Sequence, residues 1–267
     1  MSKFFNLAQK LLPRISKTEL IALRSGTVSV DREIMSGKVN MNNLLQLENK
    51  KTSYLDNELI DMCSKLQHEE VFNGTMNQKV LKNLCENKAF SYIIKQEYGG
   101  LELPVETQSR ILVKLSSINP AIGVTVMVPN SLGPGELLQH YGTEEQKKYY
   151  LPKLSNGEYI PCFGLTGPKN GSDAGGKGLD VGKVIEVNGV KKIRVTLDKR
   201  YITLAPIANL IGIAINITDP DNLLSSGEPG ITVALLEKDK YTDLDNSNYH
   251  NPLDVGFPNG TLKGTID

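Results

Sequence analysis

The stretch YGTEEQKKYYLPKLSNGEYIPCFGLT, residues 141–166, decides the fold. Its first part predicts a sharp corner between two helices. Gly142 suits the left-handed position that ends a helix. Thr143 and Gln146 have the spacing of a capping box that starts the next one. The second helix is expected to stop near Pro152, because proline lacks the N–H that a helix interior needs.

The two sides of this corner differ in pattern. Upstream, the segments 57–65, 77–87 and 108–116 carry apolar residues at helical spacing. Downstream, short β-branched runs separated by turn residues cover 159–166, 183–187, 192–197, 211–217 and 230–237. Asn188-Gly189 predicts a hairpin turn between two of these runs. We therefore predict an α+β chain in which an all-helical domain precedes a small antiparallel β-barrel-like domain.

The change of pattern places a domain boundary near residues 152–158. The predicted organisation is an N-terminal extension over 1–50, a helical domain over 51–155 and a β domain over 156–267. The last residues, 262–267, do not complete the strand pattern. The β domain is therefore expected to be incomplete at its end, with an unpaired edge.

Composition argues against several classes of function. Thirty basic and thirty acidic residues give no net charge, so no nucleic-acid partner is expected. The three cysteines form no CxxC motif and share no ligand spacing with the three histidines, so we expect reduced thiols, no metal site and a cytoplasmic location. Residues 1–12 have apolar positions at helical spacing, which predicts a docking helix. Nearby basic residues favour the alternative of a weak membrane-surface contact, which would make the protein membrane-peripheral.

Four motifs follow one another along the chain: QEYGGL at 96–101, the helix corner from 141, CFGLTGPKNGSDAG at 162–175 and KRYIT at 199–203. Over roughly residues 55–260 they resemble the N-terminal and middle domains of acyl-CoA dehydrogenases. In that family the third motif is a flavin-contacting strand and loop, and the fourth usually reads Lys-x-Trp-Ile-Thr. The segments 129–138 and 200–208 resemble the large bacterial branch that acts in fatty-acid degradation. That branch has Tyr in place of the Trp, as at Tyr201.

The resemblance implies an FAD-dependent enzyme of fatty-acid β-oxidation that converts an acyl-CoA to a trans-2-enoyl-CoA. It implies that Thr166 and the adjacent backbone contact the flavin, that Thr203 points its hydroxyl at flavin N5, and that Tyr201 packs against the ring. The implied cofactor-binding residues are Phe163, Leu165, Thr166, Gly171, Ser172, Tyr201, Ile202 and Thr203.

The resemblance also implies a substrate site. Ser172 would contact the CoA part of the substrate or the flavin pyrophosphate. The helix before Asn130 would line the acyl tail through Val124, Thr125 and Val128. Its apolar character favours medium to long acyl chains. The alternative for these three residues is ordinary core packing.

The loop departs from the family pattern at Gly167, Lys169 and Asn170. Relatives often carry Glu or Ser where Gly167 stands, and a small or acidic pair where Lys169 and Asn170 stand. We expect an altered cofactor affinity at this loop.

In the family, a C-terminal helical bundle supplies the catalytic Glu, and both are expected to be absent here. We assign no catalytic residue, and the chain alone is expected to be inactive. One interpretation is half of a split enzyme that needs a second chain carrying the bundle. Others are a non-enzymatic remnant and a flavin oxidase on the same fold. An electron-transfer flavoprotein is the acceptor that the resemblance implies.

Overall fold

The computed structural model describes residues 33, 36–40, 42, 64–65, 72–73, 75–171, 179–224, 230–247, 249–250 and 259–267. The chain divides into two units, Met1–Lys51 and Thr52–Asp267. In the first unit, the Ser36 hydroxyl donates to the Glu33 carbonyl at 2.9 Å. The helix predicted at 1–12 and most of the one predicted at 57–65 lie outside the described residues. All elements below belong to the second unit.

Five α-helices occur in the described part of this unit. They are α1 (Gln78–Glu86), α2 (Val105–Ile118), α3 (Pro120–Met127), α4 (Pro134–Tyr141) and α5 (Glu144–Ser155). Two short strands, β1 (Phe72–Asn73) and β2 (Thr75–Met76), pair antiparallel before α1. The expectation of an all-helical first domain is wrong at this hairpin. Strands of two residues are too short to produce a periodic pattern in the sequence.

The predicted capping box at the helix corner is confirmed. Thr143 Oγ1 accepts the Gln146 N–H at 3.3 Å, and Gln146 Oε1 accepts the Thr143 N–H at 2.9 Å. These two bonds satisfy donors that the first turn of α5 would otherwise leave without a partner. The sequence therefore defines where this helix starts.

Two other details of the corner were predicted wrongly. Gly142 has a φ of −67°, which is not left-handed. Glycine is needed there for a close approach, because a Cβ would lie 2.7 Å from the Leu138 carbonyl oxygen. Pro152 does not end α5, which continues to Ser155. The carbonyl that its missing N–H would have bonded belongs to Lys148, and this residue is exposed, so water can bind it.

The strands form one seven-stranded sheet, whose members are β3 (Pro161–Gly164), β4 (Val181–Val187), β5 (Val190–Thr203), β6 (Leu210–Thr218), β7 (Ile231–Glu237), β8 (Tyr249–His250) and β9 (Asn259–Ile266). The strand order is β3-β6-β4-β5-β9-β8, and β7 also pairs with β6. Asn188 and Gly189 have φ values of 53° and 76°, which confirms the predicted hairpin between β4 and β5. The Arg200 N–H donates to the Thr166 carbonyl at 3.2 Å, so the sheet nearly closes into a barrel.

The sheet is mixed, and the prediction of an antiparallel domain is wrong in this respect. Strands β3 and β4 both run parallel to β6, with Cys162 opposite Ile211 and Gly182 opposite Ile217. Parallel neighbours need crossover connections, and a strand pattern alone does not indicate them. Residues 262–266 of β9 pair with β5, whereas β8 pairs only with Asn259 and Gly260. On its other side this stretch has one bridge among the described residues, from Lys263 to Asp245, so the expected unpaired edge is wrong at that residue alone.

Helices and sheet share one hydrophobic core. Buried side chains of α1, α2 and α3 (Leu84, Ile111 and Ile122) belong to the same cluster as those of β5 and β6 (Ile202 and Ile213). The helices are therefore fixed against the sheet on which the candidate site is built.

A polar joint also connects helix and sheet. The Glu237 carboxylate, at the end of β7, accepts the hydroxyls of Tyr150 on α5 and of Tyr159, each at 2.9 Å. Burial raises the pKa of Tyr150 to about 12, and its bond to Glu237 acts in the same direction. The phenol is therefore neutral at physiological pH and serves as the donor.

Candidate functional site

The fold brings together two of the segments that the sequence singled out. Leu165 and Thr166 directly follow β3, and Tyr201 to Thr203 end β5. The bond from the Arg200 N–H to the Thr166 carbonyl joins the segments at 3.2 Å. The site is therefore a place where two backbone stretches run side by side at the closing edge of the sheet.

Strand β5 contains a bulge at this place. Its pairing with β9 shifts register between Lys199 and Ile202. Tyr201 has a φ of +57° there. A left-handed conformation costs a residue with a Cβ about 1–2 kcal/mol, so the surrounding structure must enforce it. As a result Tyr201 is 53% exposed, and the Arg200 guanidinium lies 5.5 Å from the centroid of its ring.

Two hydroxyls at the site are available to a ligand. Thr166 and Thr203 are both partly buried. Within the described part of the chain, neither hydroxyl makes a hydrogen bond to the protein. Ile202, between Tyr201 and Thr203, is only 3% exposed and packs in the core. It can therefore offer a ligand its backbone but not its side chain.

The loop after Thr166 closes on itself. Gly167 and Asn170 exchange backbone hydrogen bonds at 3.3 and 3.4 Å. The Asn170 amide donates to the Leu165 carbonyl at 2.9 Å. A Cβ on Gly167 would meet Asn170 Oδ1 at 2.9 Å and the Asp198 carbonyl at 3.1 Å. Two of the three departures from the family pattern thus belong together, because the turn that Asn170 makes requires a glycine at 167.

Two further residues of the predicted loop, Lys169 and Gly171, lie among the described residues. Lys169 is exposed, and a Cβ on Gly171 would meet nothing within 4 Å. Glycine at 171 is therefore not required by contacts within the described protein. The predicted Ser172 lies outside the described residues, and so do Asp173 and Gly175.

A buried lysine on β5 donates hydrogen bonds to backbone carbonyls behind the site. Lys199 has no exposed surface, and its Nζ donates to the carbonyls of Leu165 at 3.2 Å and Ala214 at 3.1 Å. Its third neighbour is Asp180 Oδ2 at 3.3 Å. Burial lowers the pKa of the Lys199 amine, and the Asp180 carboxylate opposes that shift. Sequence reasoning missed these roles, although Lys199 continues the alternation of buried Val195 and Leu197.

The predicted acyl-tail residues lie on α3 or directly after it, and α3 packs against α2. Val124 and Val128 are half-buried. Thr125 is fully buried, and its hydroxyl donates to the Ala121 carbonyl at 2.7 Å. It therefore has no hydroxyl proton left for a ligand.

Phe163 lines a different feature, a groove of about 400 Å³ between α4 and strands β3, β6 and β7. Pro134, Leu137 and Gly212 also border the groove, so its walls are largely apolar. Phe163 was predicted to contact the cofactor, and this position keeps its half-buried ring accessible.

Among the described residues of the candidate site, none is identified as a base. Glu97 is exposed and pairs with Lys95 at 3.7 Å in the turn after α1. Among the described residues, no group of three or more His, Cys, Asp or Glu side chains could hold a metal ion. In the same part of the chain, no helix has the length and apolar character needed to cross a membrane.

Comparison with known proteins finds several acyl-CoA dehydrogenases. The model of the acyl-CoA dehydrogenase N-terminal domain matches residues 45–158. An acyl-CoA dehydrogenase of Bacillus subtilis is 31% identical over 160 residues, which are 60% of this chain and 39% of that protein. The very long-chain specific acyl-CoA dehydrogenase of Macaca fascicularis mitochondria is 32% identical over 167 residues, which are 60% of this chain and 24% of that protein. This chain therefore spans well under half the length of either relative.

A solved structure extends the similarity into the sheet. The acyl-CoA dehydrogenase of Bacillus anthracis, crystallised in complex with FAD, superposes with a TM-score of 0.63 at 22% identity. The match covers 82% of this chain and 37% of that one. At this identity it shows a shared fold.

Proposed function

We propose that this chain, whose residues 45–158 match the acyl-CoA dehydrogenase N-terminal domain, binds FAD and an acyl-CoA and serves the α,β-dehydrogenation of that acyl-CoA. The observation that carries the proposal is the bulge in β5. It presents the Tyr201 ring beside the fixed Leu165–Thr166 backbone. FAD, when bound, would accept the hydride that leaves the β carbon of the acyl chain.

The residues at the bulge fit a flavin. Its ring system needs an apolar surface and hydrogen-bond donors near the atoms that gain negative charge on reduction. Tyr201, which is 53% exposed, offers an aromatic ring. Thr166 and Thr203 offer hydroxyls that no described residue uses. We assign the ring packing to Tyr201 and the donated hydrogen bonds to the two threonines.

For the substrate we propose an acyl-CoA of medium to long chain, with its tail along α3. Half-buried Val124 and Val128 support this placement, because each buried methylene contributes about 0.8 kcal/mol to binding. Thr125 would contribute packing only, since its hydroxyl is bonded to Ala121. We propose an electron-transfer flavoprotein as the acceptor, in line with the family.

A second candidate is that the chain works only together with another chain that supplies the base. The exposure of large apolar side chains on and around the helices favours it: Val105 is 77% exposed, Val113 69%, Leu132 65% and Tyr141 84%. These four side chains offer apolar surface that a second chain could cover. In this case we expect FAD binding without turnover by the chain alone.

Titration of the purified chain with FAD, followed by quenching of flavin fluorescence, tests the binding. We expect Thr203→Val to weaken FAD binding about five- to tenfold, because one hydrogen bond to the flavin is lost. Thr232→Val is the matched control. Thr232 is half-buried on β7 and its hydroxyl donates only to the Gly230 carbonyl at 3.5 Å. Equal affinity for the parent chain and Thr203→Val, or no FAD binding at all, contradicts the proposal.

Addition of octanoyl-CoA or palmitoyl-CoA in the absence of oxygen and of any other electron acceptor then separates the two candidates. Bleaching of the bound flavin means that the chain itself holds the base that takes the α proton. Binding of FAD without bleaching supports the second candidate.

A further inference from the structure

Lys199 lies where an apolar side chain is expected. It continues the buried face of β5 after Val195 and Leu197, and its own exposed surface is 0%. Burial of an ammonium group is costly, and an apolar residue of similar volume often serves a core at least as well. A lysine at this position therefore calls for a role beyond packing.

The three N–H donors of Lys199 match three acceptors. They are the Leu165 carbonyl at 3.2 Å, the Ala214 carbonyl at 3.1 Å and Asp180 Oδ2 at 3.3 Å. An ammonium group has no acceptor capacity, so these contacts use all that it can offer. The lysine thus joins the segment after β3 to β6 and to the residue that precedes β4.

Asp180 does more in this arrangement than neutralise the charge of Lys199. Its Oδ2 also accepts the Asp198 N–H at 3.3 Å. Its own carbonyl accepts the Asn216 N–H at 2.9 Å. Asp180 is thereby held from both sides, and its carboxylate sets the position of Lys199 Nζ.

We propose that Lys199 is a positioning residue, which holds the Leu165 carbonyl and so fixes the Leu165–Thr166 backbone that faces the flavin, with Asp180 orienting its amine. The inference rests on the proposed function, because it assigns a purpose to the placement of Thr166. It predicts that the Leu165 contact matters for the cofactor even when the charge of the pair is removed.

Amide hydrogen exchange of the flavin-free chain tests the positioning without any cofactor. In Lys199→Met we expect exchange over residues 165–171 to rise about tenfold or more, since the segment opens locally. Lys263→Met is the control. Lys263 lies on neighbouring β9, is exposed, and forms an ion pair with Asp198 at 3.5 Å. Unchanged exchange over 165–171 in Lys199→Met overturns the inference, whether or not the chain binds FAD.

The double variant Asp180→Asn with Lys199→Met separates positioning from charge. It leaves no half-buried carboxylate without its cation, so we expect the fold to be retained. The Lys199 donor to the Leu165 carbonyl is missing, and the Asn170 amide is the donor that remains. We expect rapid exchange over 165–171 to persist and the dissociation constant for FAD to stay raised about tenfold. Restoration of both to parent values would show that Lys199 only neutralises Asp180. If the parent chain binds no FAD, the proposed function fails, and the exchange result still decides the inference.

Discussion

Replacement of Asn130 by aspartate tests whether the helical half depends on one buried amide. Asn130 is 8% exposed and follows α3. Its Oδ1 accepts the N–H of Tyr92 at 2.7 Å, and its Nδ2 donates to the carbonyls of Ala89 at 2.6 Å and Val126 at 2.8 Å. Aspartate has the same shape, so it keeps the acceptor and replaces the donor by a second oxygen.

The expected cost follows from these contacts. Two buried carbonyls lose their donor, at about 1–3 kcal/mol each. The new carboxylate oxygen also faces both carbonyls, while a stronger bond from Tyr92 offsets part of the loss. We expect a net loss of about 3–5 kcal/mol in the free energy of unfolding at neutral pH. This corresponds to a fall of about 6–20 °C in the melting temperature.

Urea unfolding followed by circular dichroism measures the loss. The chain has 10 tyrosines and no tryptophan, so tyrosine fluorescence is a second probe. Asn156→Asp is the matched control. Asn156 is exposed and its Oδ1 accepts the Glu158 N–H at 2.9 Å, so the change should stay within about 0.5 kcal/mol.

The pH dependence gives a second check on the same reasoning. The carbonyls that surround the new carboxyl group favour its protonated form and raise its folded-state pKa above the unfolded value. The deficit of the variant should therefore shrink as the pH falls from about 7 to about 4. A stability at neutral pH within 1 kcal/mol of the parent would refute the argument.

Two further predictions concern Gly157, which packs against Cys85 of α1, and Tyr150 in the polar joint between helix and sheet. Gly157 has a φ of +78°, and a Cβ there would lie 2.5 Å from Cys85 Sγ; Gly157→Ala should cost about 2–5 kcal/mol in thermal unfolding. Gly189→Ala, with a φ of +76° and open space around it, should cost only about 1–2 kcal/mol, and equal losses would contradict the steric argument. Tyr150 has a pKa raised from 10.0 to about 12 by burial and by its bond to Glu237, so its contribution is complete below pH 10 and is lost as the pH rises to 12. The parent chain should therefore lose more stability than Tyr150→Phe in urea titrations over that interval, and parallel losses would count against it.

Local signals in the sequence predicted much of the fold. The capping box at Thr143 and the hairpin at Asn188-Gly189 depend on residues next to one another, and both are confirmed. The pairing of β3 with β6 depends on contacts between residues far apart in the chain. The sequence of neither strand indicates whether that pairing is parallel or antiparallel. For this reason the mixed sheet could not be derived from the strand pattern.

The candidate site could be predicted from the sequence only in part. Thr166, Tyr201 and Thr203 were named through a family resemblance, and the fold places their segments side by side. The role of Lys199 needs three dimensions, because its acceptors at Leu165 and Ala214 come from separate elements. The sequence shows only that a lysine stands at a buried position of an alternating strand.

Because of the bulge at Tyr201, the alternating burial along β5 predicts the wrong face of the strand for the site. Val195, Leu197 and Lys199 are buried in alternation, so an unbroken strand would bury residue 201 and expose residue 202. One extra residue reverses the faces of those that follow. Tyr201 is exposed as a result, and Ile202 is buried. The strained left-handed conformation of Tyr201 is therefore what gives the sheet an aromatic surface at this edge and a buried isoleucine beneath it.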